Sequence, residues 1–502
     1  MKTSLISTCA CAAIVAQVTA QDWDDSDLPP VSSETLVDLV TLEDLQAGAE
    51  KLQSIADEND GTRVFGGAGH NATVDWLFDE LSALGYYDVS KQAFVELFSG
   101  GSGSLSVNGE EYEADILTYT PSGSASGSLV AVDNLGCEEA DFPAEVEGQI
   151  ALISRGECTF AQKATNAATA GAAAALIYNN VEGSLAGTLG GVGDYVPVLG
   201  LVQADGEALL ALAEAGETEV EMEVSAILEN RTTFNVIAET KGGDHDNVIA
   251  LGGHTDSVEA GPGLNDNGSG TIGLLTVAKA LINFSTTNAV RFLFFSAEEF
   301  GLLGAEYYVS QLNQSETELA KVRAYLNFDM IASPNYIIGI YDGDGSGFNL
   351  TGPPGSAEIE LGFEQFFESQ GSNYVPTEFS GRSDYGPFLE NGIAAGGLFT
   401  GAEEIKTEEE AELFGGTAGE ALDANYHEAG DTIDNLNYDA FLLNTKAIAD
   451  AVALYGTSLD SIPVRGAAER RRSAEVAKAR FKEKRAEKHV HNAPCGHTKS
   501  EL

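Results

Sequence analysis

The chain has 502 residues, 43% of them hydrophobic, and a formal net charge of −52 at pH 7. This length and apolar content exclude a disordered protein and suffice for two domains with tails. The large negative charge excludes nucleic acid and anionic membrane surfaces as partners, because both require a basic face that displaces counterions.

Residues 1–20 have the pattern of a secretory signal peptide, with Lys2, a short apolar centre and the small residues Val18 and Ala20 before the cleavage point. The apolar run is too short to span a membrane. We therefore expect a secreted, extracellular protein, with a vacuolar or lysosome-like compartment as the alternative. Residues 21–40 are acidic and interrupted by proline, which fits either a propeptide or an ordered N-terminal arm.

Two amphipathic helices are predicted next. The first begins at Thr41, because Glu43 and Asp44 suit the first turn of a helix and apolar residues then recur at helical spacing. The second ends at Gly85, a residue type that commonly terminates helices. His70 lies near the start of this second helix, and we expect it to be packed or capping rather than a metal ligand.

Between residues 88 and 225 the sequence changes to short alternating segments separated by Ser/Gly turns, with one predicted helix at Phe160–Gly171. The stretch GQIALISRGECTFAQKATNAATAGAAAALIYNN, with its Arg-Gly-x-Cys-x-Phe turn, closely resembles the protease-associated (PA) domain. That resemblance implies a small β-rich α+β domain that serves as a non-catalytic lid or spacer. We assign it to residues 113–227.

Cysteine use and sequons agree with secretion. Cys9 and Cys11 leave with the signal peptide, whereas Cys137 and Cys158 remain as a pair that an oxidising compartment could join, and Cys495 is left over. Asn-x-Ser/Thr sequons fit passage through a glycosylating pathway. The glycosylation candidates are Asn71, Asn230, Asn283, Asn313 and Asn349.

From residue 232 onward, near-continuous Val/Ile/Leu/Phe strands alternate with helices, which indicates a sheet covered on both faces. We predict a doubly wound α/β domain with a mixed, mostly parallel sheet, split by the insert into residues 41–112 and 228–458. From Arg465 the chain has 11 Lys/Arg against 5 Asp/Glu, a local charge of +6. We predict that residues 459–502 form a disordered tail, which either folds back on the acidic body as an inhibitor or is trimmed.

Candidate metal ligands follow the predicted strands of this domain. Imidazole and carboxylate groups hold zinc while leaving room for water and substrate, and open α/β sheets place their ligand crevice at the carboxyl ends of strands. Few histidines precede the tail, so two of them within carboxylate-rich segments are informative. The set is His254, Asp256, Asp266, Glu298, Glu299, Asp329 and His427.

The segments HTDSV, LNDNGSG, SAEEFGLLGA, NFDMI and NYHEAGDTID, in this order and spacing, are similar to the co-catalytic zinc aminopeptidases of the aminopeptidase Y and secreted leucine aminopeptidase type. With the PA insert, the resemblance covers about residues 40–458. It implies the zinc exopeptidase fold and two zinc ions per chain. By the same resemblance, His254 and Asp329 would hold one ion, Glu299 and His427 the other, and Asp266 would bridge both.

The resemblance also implies roles for groups that hold no metal. Glu298 would be the general base, and Tyr426 would donate to the oxyanion, with simple packing as the alternative. Independently of the resemblance, Asp256, two residues after His254, is placed to orient that imidazole as a hydrogen-bond acceptor, with a strand-end cap as the alternative. Arg382 resembles a substrate-contacting arginine, with a structural ion pair as the alternative.

We expect a metallo-aminopeptidase that hydrolyses the N-terminal bond of peptides and proteins, preferring apolar residues such as leucine, through a water activated by two zinc ions and Glu298. Its partners would be peptide substrates, without nucleic acid or membrane, and a monomer is expected. A carboxypeptidase of the same superfamily would need an arginine cluster, yet only 15 Lys/Arg precede residue 465. A catalytically silent receptor-like protein is the other alternative. Asn267, beside the bridging ligand, is expected to be bare because a glycan there would obstruct the cleft.

Overall fold

The structure is a computed structural model of the chain, and it describes residues 27–488 apart from residues 182, 184, 186 and 217. The predicted signal peptide, the start of the acidic segment and Cys495 lie outside the described residues. In the part of the chain that is described, no helix has both the length and the apolar character needed to cross a membrane.

The helices are α1 (Ser33–Val37), α2 (Leu42–Asp57), α3 (Ala68–Ala83), α4 (Phe160–Thr169), α5 (Gln203–Ala215), α6 (Gly270–Leu281), α7 (Leu303–Leu312), α8 (Glu316–Lys321), α9 (Ser356–Gln370), α10 (Tyr385–Glu390), α11 (Glu408–Phe414), α12 (Tyr438–Thr457) and α13 (Ala467–Lys488). The strands are β1 (Tyr87–Val107), β2 (Glu110–Tyr112), β3 (Asp115–Ile116), β4 (Gly123–Gly127), β5 (Leu129–Ala131), β6 (Ile150–Ser154), β7 (Ala174–Tyr178), β8 (Val198–Leu201), β9 (Val220–Thr240), β10 (Asp244–His254), β11 (Asn288–Phe295), β12 (Val322–Phe328), β13 (Gly339–Tyr341), β14 (Val375–Thr377) and β15 (Ala394–Phe399).

The larger sheet has the order β14-β13-β15-β12-β10-β11-β9-β1-β2, and β4 also pairs with β9. Its centre is parallel, because β10 pairs in parallel with β11 and β12, and β12 pairs in parallel with β15. The pairs toward the β1 end are antiparallel. The predicted α/β class with a mixed sheet is therefore confirmed.

Side chains alternate along each strand, so the sheet has two apolar faces. Helices cover both of them. Ile249 and Leu251 of β10 join the core that also contains buried residues of α2, α6, α9 and α12. Ala250, between them, joins the opposite core with residues of α7 and α10. The strand ends are therefore held between two packed layers.

The N-terminal arm is part of this fold. Val31 and Leu36 are buried in the larger core, and Val31 donates a backbone hydrogen bond to Ser285. The described residues from 27 onward are thus packed against the larger core. As predicted, α2 begins after Thr41, whose hydroxyl accepts a hydrogen bond from the Asp44 amide.

Strands β1 and β9 form a ribbon of 21 residues on each side, paired along its whole length. At about 3.4 Å per residue, such a ribbon is roughly 70 Å long. A smaller sheet of order β3-β8-β7-β6-β5 follows it, with α4 and α5. Leu105 and Val107 of β1 pack in the core of that smaller sheet. The end of β1 therefore contributes to the core of the insert, although the predicted start of the insert is residue 113.

The insert contains a disulfide, and the sequon asparagines differ in their exposure. Cys137 and Cys158 are joined by a disulfide with a Cα–Cα distance of 5.7 Å. Asn267 is fully buried, and its side-chain amide donates to the Phe328 carbonyl at 2.9 Å, so its side chain is inaccessible to a glycosylating enzyme. Among the glycosylation candidates, Asn71 is half-buried, whereas Asn230, Asn283, Asn313 and Asn349 are exposed.

Helix α13 occupies much of the predicted disordered tail. Its Ala, Glu, Lys and Arg residues are strong helix formers, which the expectation of disorder underweighted. The helix packs against α10: a Cβ at Gly392 would meet the Arg470 carbonyl, and Arg471 forms an ion pair with Glu316. Gly392 and α8 directly precede β15 and β12, so these contacts lie at the amino edge of the parallel strands.

Candidate metal centre

The carboxyl ends of β10, β11 and β12 lie side by side. His254 is the last residue of β10 and pairs with Phe295, the last residue of β11. Glu298 and Glu299 follow that strand end, and Asp329 directly follows β12. Parallel pairing thus brings these side chains to one edge of the sheet, as the sequence predicted.

Asp266 lies between two imidazoles. Its Oδ1 is 3.2 Å from Nε2 of His254, and its Oδ2 is 3.2 Å from Nε2 of His427. Each carboxylate oxygen therefore faces a different histidine. This is the arrangement that a carboxylate bridging two ions requires.

The remaining candidate ligands complete two groups of donors. His254 Nε2 is 3.4 Å from Asp329 Oδ1, and His427 Nε2 is 2.9 Å from Glu299 Oε2. Donors held about 2.0–2.2 Å from a tetrahedral zinc ion are separated from each other by roughly 3.3–3.6 Å. The observed separations are close to that range, so the residues fit zinc.

Unsatisfied oxygens also indicate cation binding. Among the described residues, Oε1 of Glu299 and Oδ1 of Asp329 are buried without a hydrogen-bond partner. Burial raises the pKa of Glu299 to about 7, and burial also raises the pKa of Glu298 well above its usual value. A bound divalent cation would relieve this concentration of buried carboxylates.

Asp256 contacts the centre in two ways. His254 Nδ1 is 3.3 Å from the backbone carbonyl oxygen of Asp256 but 3.6 Å from its carboxylate Oδ1. The carboxylate instead accepts a hydrogen bond from the Glu298 amide at 3.1 Å. His254 Nδ1 therefore faces both the carbonyl and the carboxylate of Asp256, and the carboxylate also holds the Glu298 turn.

An open cleft adjoins the candidate ligands. Arg382 and Tyr426 both line it, and Arg382 Nη2 donates to the Tyr426 hydroxyl at 3.2 Å. Arg382 Nη1 also donates to Glu403 at 2.7 Å, so the arginine has a structural partner as well as a place in the cleft. The Tyr426 ring stacks on His427 at 3.9 Å between centroids. Apolar lining comes from Leu302, Met330, Tyr341 and Phe399.

Sequence reasoning missed residues that hold the ligands in place. The Ser383 hydroxyl donates to Asp329 Oδ2 at 2.5 Å. The Asp431 carboxylate accepts hydrogen bonds from the amides of Asn265 and Asp266, at 2.8 and 2.9 Å. Ser383 directly follows Arg382, and Asp431 lies shortly after His427. Their closeness in sequence to predicted site residues was the available signal.

Arg63 is a further supporting residue. It is fully buried, and its guanidinium donates to the carbonyl oxygens of Thr255, Pro262 and Gly263. It thereby links the end of β10 to the loop that leads to Asp266. No pattern in its own segment pointed to this contact.

Comparisons with protein families and sequences are consistent with this geometry. Peptidase family M28 matches residues 235–452, and the PA domain matches residues 125–209. The probable leucine aminopeptidase 2 of Aspergillus fumigatus is 58% identical over 456 residues, covering 90% of this chain and 90% of the relative. The leucine aminopeptidase 2 of Trichophyton rubrum is 52% identical, covering 93% of this chain and 94% of the relative.

Solved structures agree with these matches. The aminopeptidase from Aneurinibacillus sp. strain AM-1 has a TM-score of 0.67 and 28% identity, covering 87% of this chain and 98% of that one. BSAP, a zinc aminopeptidase from Bacillus subtilis, has a TM-score of 0.61 and 26% identity, covering 86% of this chain and 99% of that one.

Proposed function

The chain belongs to peptidase family M28 and is a metallo-aminopeptidase, and from this premise we propose that it uses two zinc ions to remove apolar N-terminal residues such as leucine from peptides. The observation that carries the proposal is the position of Asp266, whose two carboxylate oxygens face His254 and His427. A single carboxylate shared by two donor groups suits a two-ion centre.

Five side chains would hold the ions. His254 and Asp329 would bind one, Glu299 and His427 the other, and Asp266 both. Zinc at this centre would polarise the scissile carbonyl and lower the pKa of an attacking water.

Glu298 would be the general base. Its Oε2 lies 3.8 Å from His254 Nε2, at the edge of the candidate ligands. The carboxylate would accept a proton from the attacking water and donate it to the departing amine. Asp256 supports this role by accepting the hydrogen bond from the Glu298 amide.

The cleft supports the substrate assignment. Its apolar side chains suit an apolar N-terminal residue, and its carboxylates suit a free amine. The Tyr426 hydroxyl would donate to the developing oxyanion, with Arg382 holding the phenol in place. Among the described residues that line this cleft, Arg382 is the one basic side chain, which disfavours recognition of a C-terminal carboxylate.

We further propose that the protein is secreted as a monomer, with a peptidase domain built from residues 41–112 and 228–458 and a PA insert. The signal-peptide pattern, the Cys137–Cys158 disulfide and the exposed sequons support secretion. The packing of Leu105 with the insert means that the end of β1 connects the two domains and contributes to the core of the insert.

A substrate profile tests the proposed function. We expect hydrolysis of leucine, methionine and phenylalanine p-nitroanilides, weak hydrolysis of the aspartate analogue, complete loss with a chelator, and recovery with zinc at two ions per chain. A free-carboxyl substrate such as hippuryl-phenylalanine should be untouched. Zinc well below two per fully active chain would contradict the two-ion centre, and cleavage of the C-terminal substrate would contradict the aminopeptidase specificity.

Removal of the basic tail after Val464 is expected to leave kcat/KM unchanged and to lower thermal stability. The tail contacts at Gly392 and Glu316 lie at the amino edge of the sheet, whereas the candidate ligands lie at the carboxyl edge. Ile462 must be retained because it is buried in the core. Measuring kcat/KM at low and high salt checks this, and higher activity after truncation would support the inhibitory alternative.

A further inference from the structure

Asp384, directly before α10, is a buried carboxylate without a partner. It is 0% exposed, and within the described part of the chain neither of its oxygens has a hydrogen-bond partner. Burying an ionisable group in this state is costly, and buried polar groups are normally hydrogen-bonded. Asp431, equally buried, shows the usual situation, because it accepts hydrogen bonds from backbone amides.

The distribution of such oxygens is informative. Across residues 27–488 as described, the buried carboxylate oxygens without a hydrogen-bond partner belong to Asp256, Glu299, Asp329 and Asp384. Three of these residues are already members of the candidate metal centre. Asp384 shares their condition, although it lies outside the five-ligand set and outside the motifs that suggested it.

The position of Asp384 explains why its oxygens lack hydrogen-bond partners, as those of the metal centre do. Its charge interacts most strongly with His254, then with Asp329 and Asp256, which lie at the half of the centre formed by β10 and β12, and less strongly with Glu299 of the other half. The preceding residue, Ser383, donates a hydrogen bond to Asp329 Oδ2. Arg382, the basic residue nearest in sequence, is bound to Glu403 instead. The turn therefore places a negative charge behind the His254 and Asp329 donors without a cation from the same segment.

We propose that Asp384 is a positioning residue of the metal centre, whose negative charge raises the affinity for the ion held by His254 and Asp329 without coordinating it. The proposal rests on the proposed two-zinc function. A carboxylate near a divalent cation in a buried site attracts it strongly. Without the ion, the same carboxyl group is buried with no hydrogen-bond partner among the described residues, which is costly whether it is charged or has taken up a proton. Asp384 should therefore stabilise the zinc-loaded protein and destabilise the metal-free one.

The test is Asp384→Asn, which removes the charge and keeps the shape. We expect zinc affinity at one site to fall by about 10- to 100-fold, the range seen for residues that support metal ligands. Competition with a chelator, followed by metal analysis, measures this affinity. The melting temperature of the metal-free variant should be higher than that of the metal-free wild type. Asp384→Ala should reduce zinc affinity by a similar factor, even if its stability falls.

Asp141→Asn is the matched control. Asp141 is a buried carboxylate of the PA domain, and it accepts hydrogen bonds from Asn134 and from the Glu138 amide. Its variant should keep zinc affinity and lose stability, the opposite of Asp384→Asn. Wild-type zinc affinity in both Asp384 variants, or a less stable metal-free Asp384→Asn, would overturn the proposal. Fewer than two zinc ions in the wild type would instead count against the proposed function.

Discussion

Replacement of Glu298 by glutamine is expected to lower kcat by about 10²- to 10⁴-fold while leaving the zinc content unchanged. The side-chain amide of glutamine keeps the shape of the carboxylate but cannot accept the proton of the attacking water. The Glu298 contact to Asp256 runs through the backbone amide, so the substitution leaves it intact. Initial rates on leucine p-nitroanilide, combined with metal analysis of the same sample, measure both quantities.

Glu299→Gln is the informative comparison, because it changes the adjacent residue in the same way. Oε2 of Glu299 is 2.9 Å from His427 Nε2, within the second group of donors. This variant should lose zinc, and excess zinc should restore part of its activity. Added zinc should not restore Glu298→Gln. Normal turnover by a zinc-replete Glu298→Gln enzyme would remove Glu298 from its assigned role.

The candidate ligands could be predicted because the sequence near them follows simple rules. Near-continuous apolar runs identify buried parallel strands, and the carboxyl ends of such strands meet at one edge. His254, Glu299 and Asp329 each follow such a run, and the structure brings them together. Asp266 and His427 do not directly follow such a run, and their assignment depended on the resemblance rather than on any periodicity.

The residues that hold the candidate ligands in place were not predictable in the same way. Arg63 donates to carbonyl groups about 200 residues later in the chain, and nothing in its own segment distinguishes it from a surface arginine. Asp384 differs from the many other acidic residues through its burial, which depends on how α10 packs. Local sequence carries propensity and pattern, whereas these contacts exist only after the long-range packing has formed.

Two elements of the insert were missed, for different reasons. The Ser/Gly-rich second half of β1 was interpreted as turns, since glycine and serine have low strand propensity. Pairing with β9 along 21 residues stabilises it as a strand. Helix α5 was also missed, because the surrounding alternating segments suggested strands and one helix. Both errors concern the insert, so they leave the metal centre unaffected.

The proposed bridging role of Asp266 leads to a second large expected effect. Asp266→Asn should lower the zinc content to at most about one ion per chain, because an amide offers one oxygen where the carboxylate offers two. Its activity should fall by more than the roughly 10²–10³-fold that follows removal of a single transition-state hydrogen-bond donor. The fold should persist, since Asp431 binds the backbone amide of residue 266 rather than its side chain.

His254→Ala and His427→Ala are the comparison that distinguishes a bridging ligand from a ligand of one ion. Each histidine faces one oxygen of Asp266 only, so each variant should lose mainly one ion and keep the other. Metal analysis of the three proteins, prepared at equal zinc concentration, should therefore rank Asp266→Asn at or below both histidine variants. If Asp266→Asn retained two ions while a histidine variant lost both, Asp266 would be a ligand of one ion at most, and the two halves of the centre would need another link.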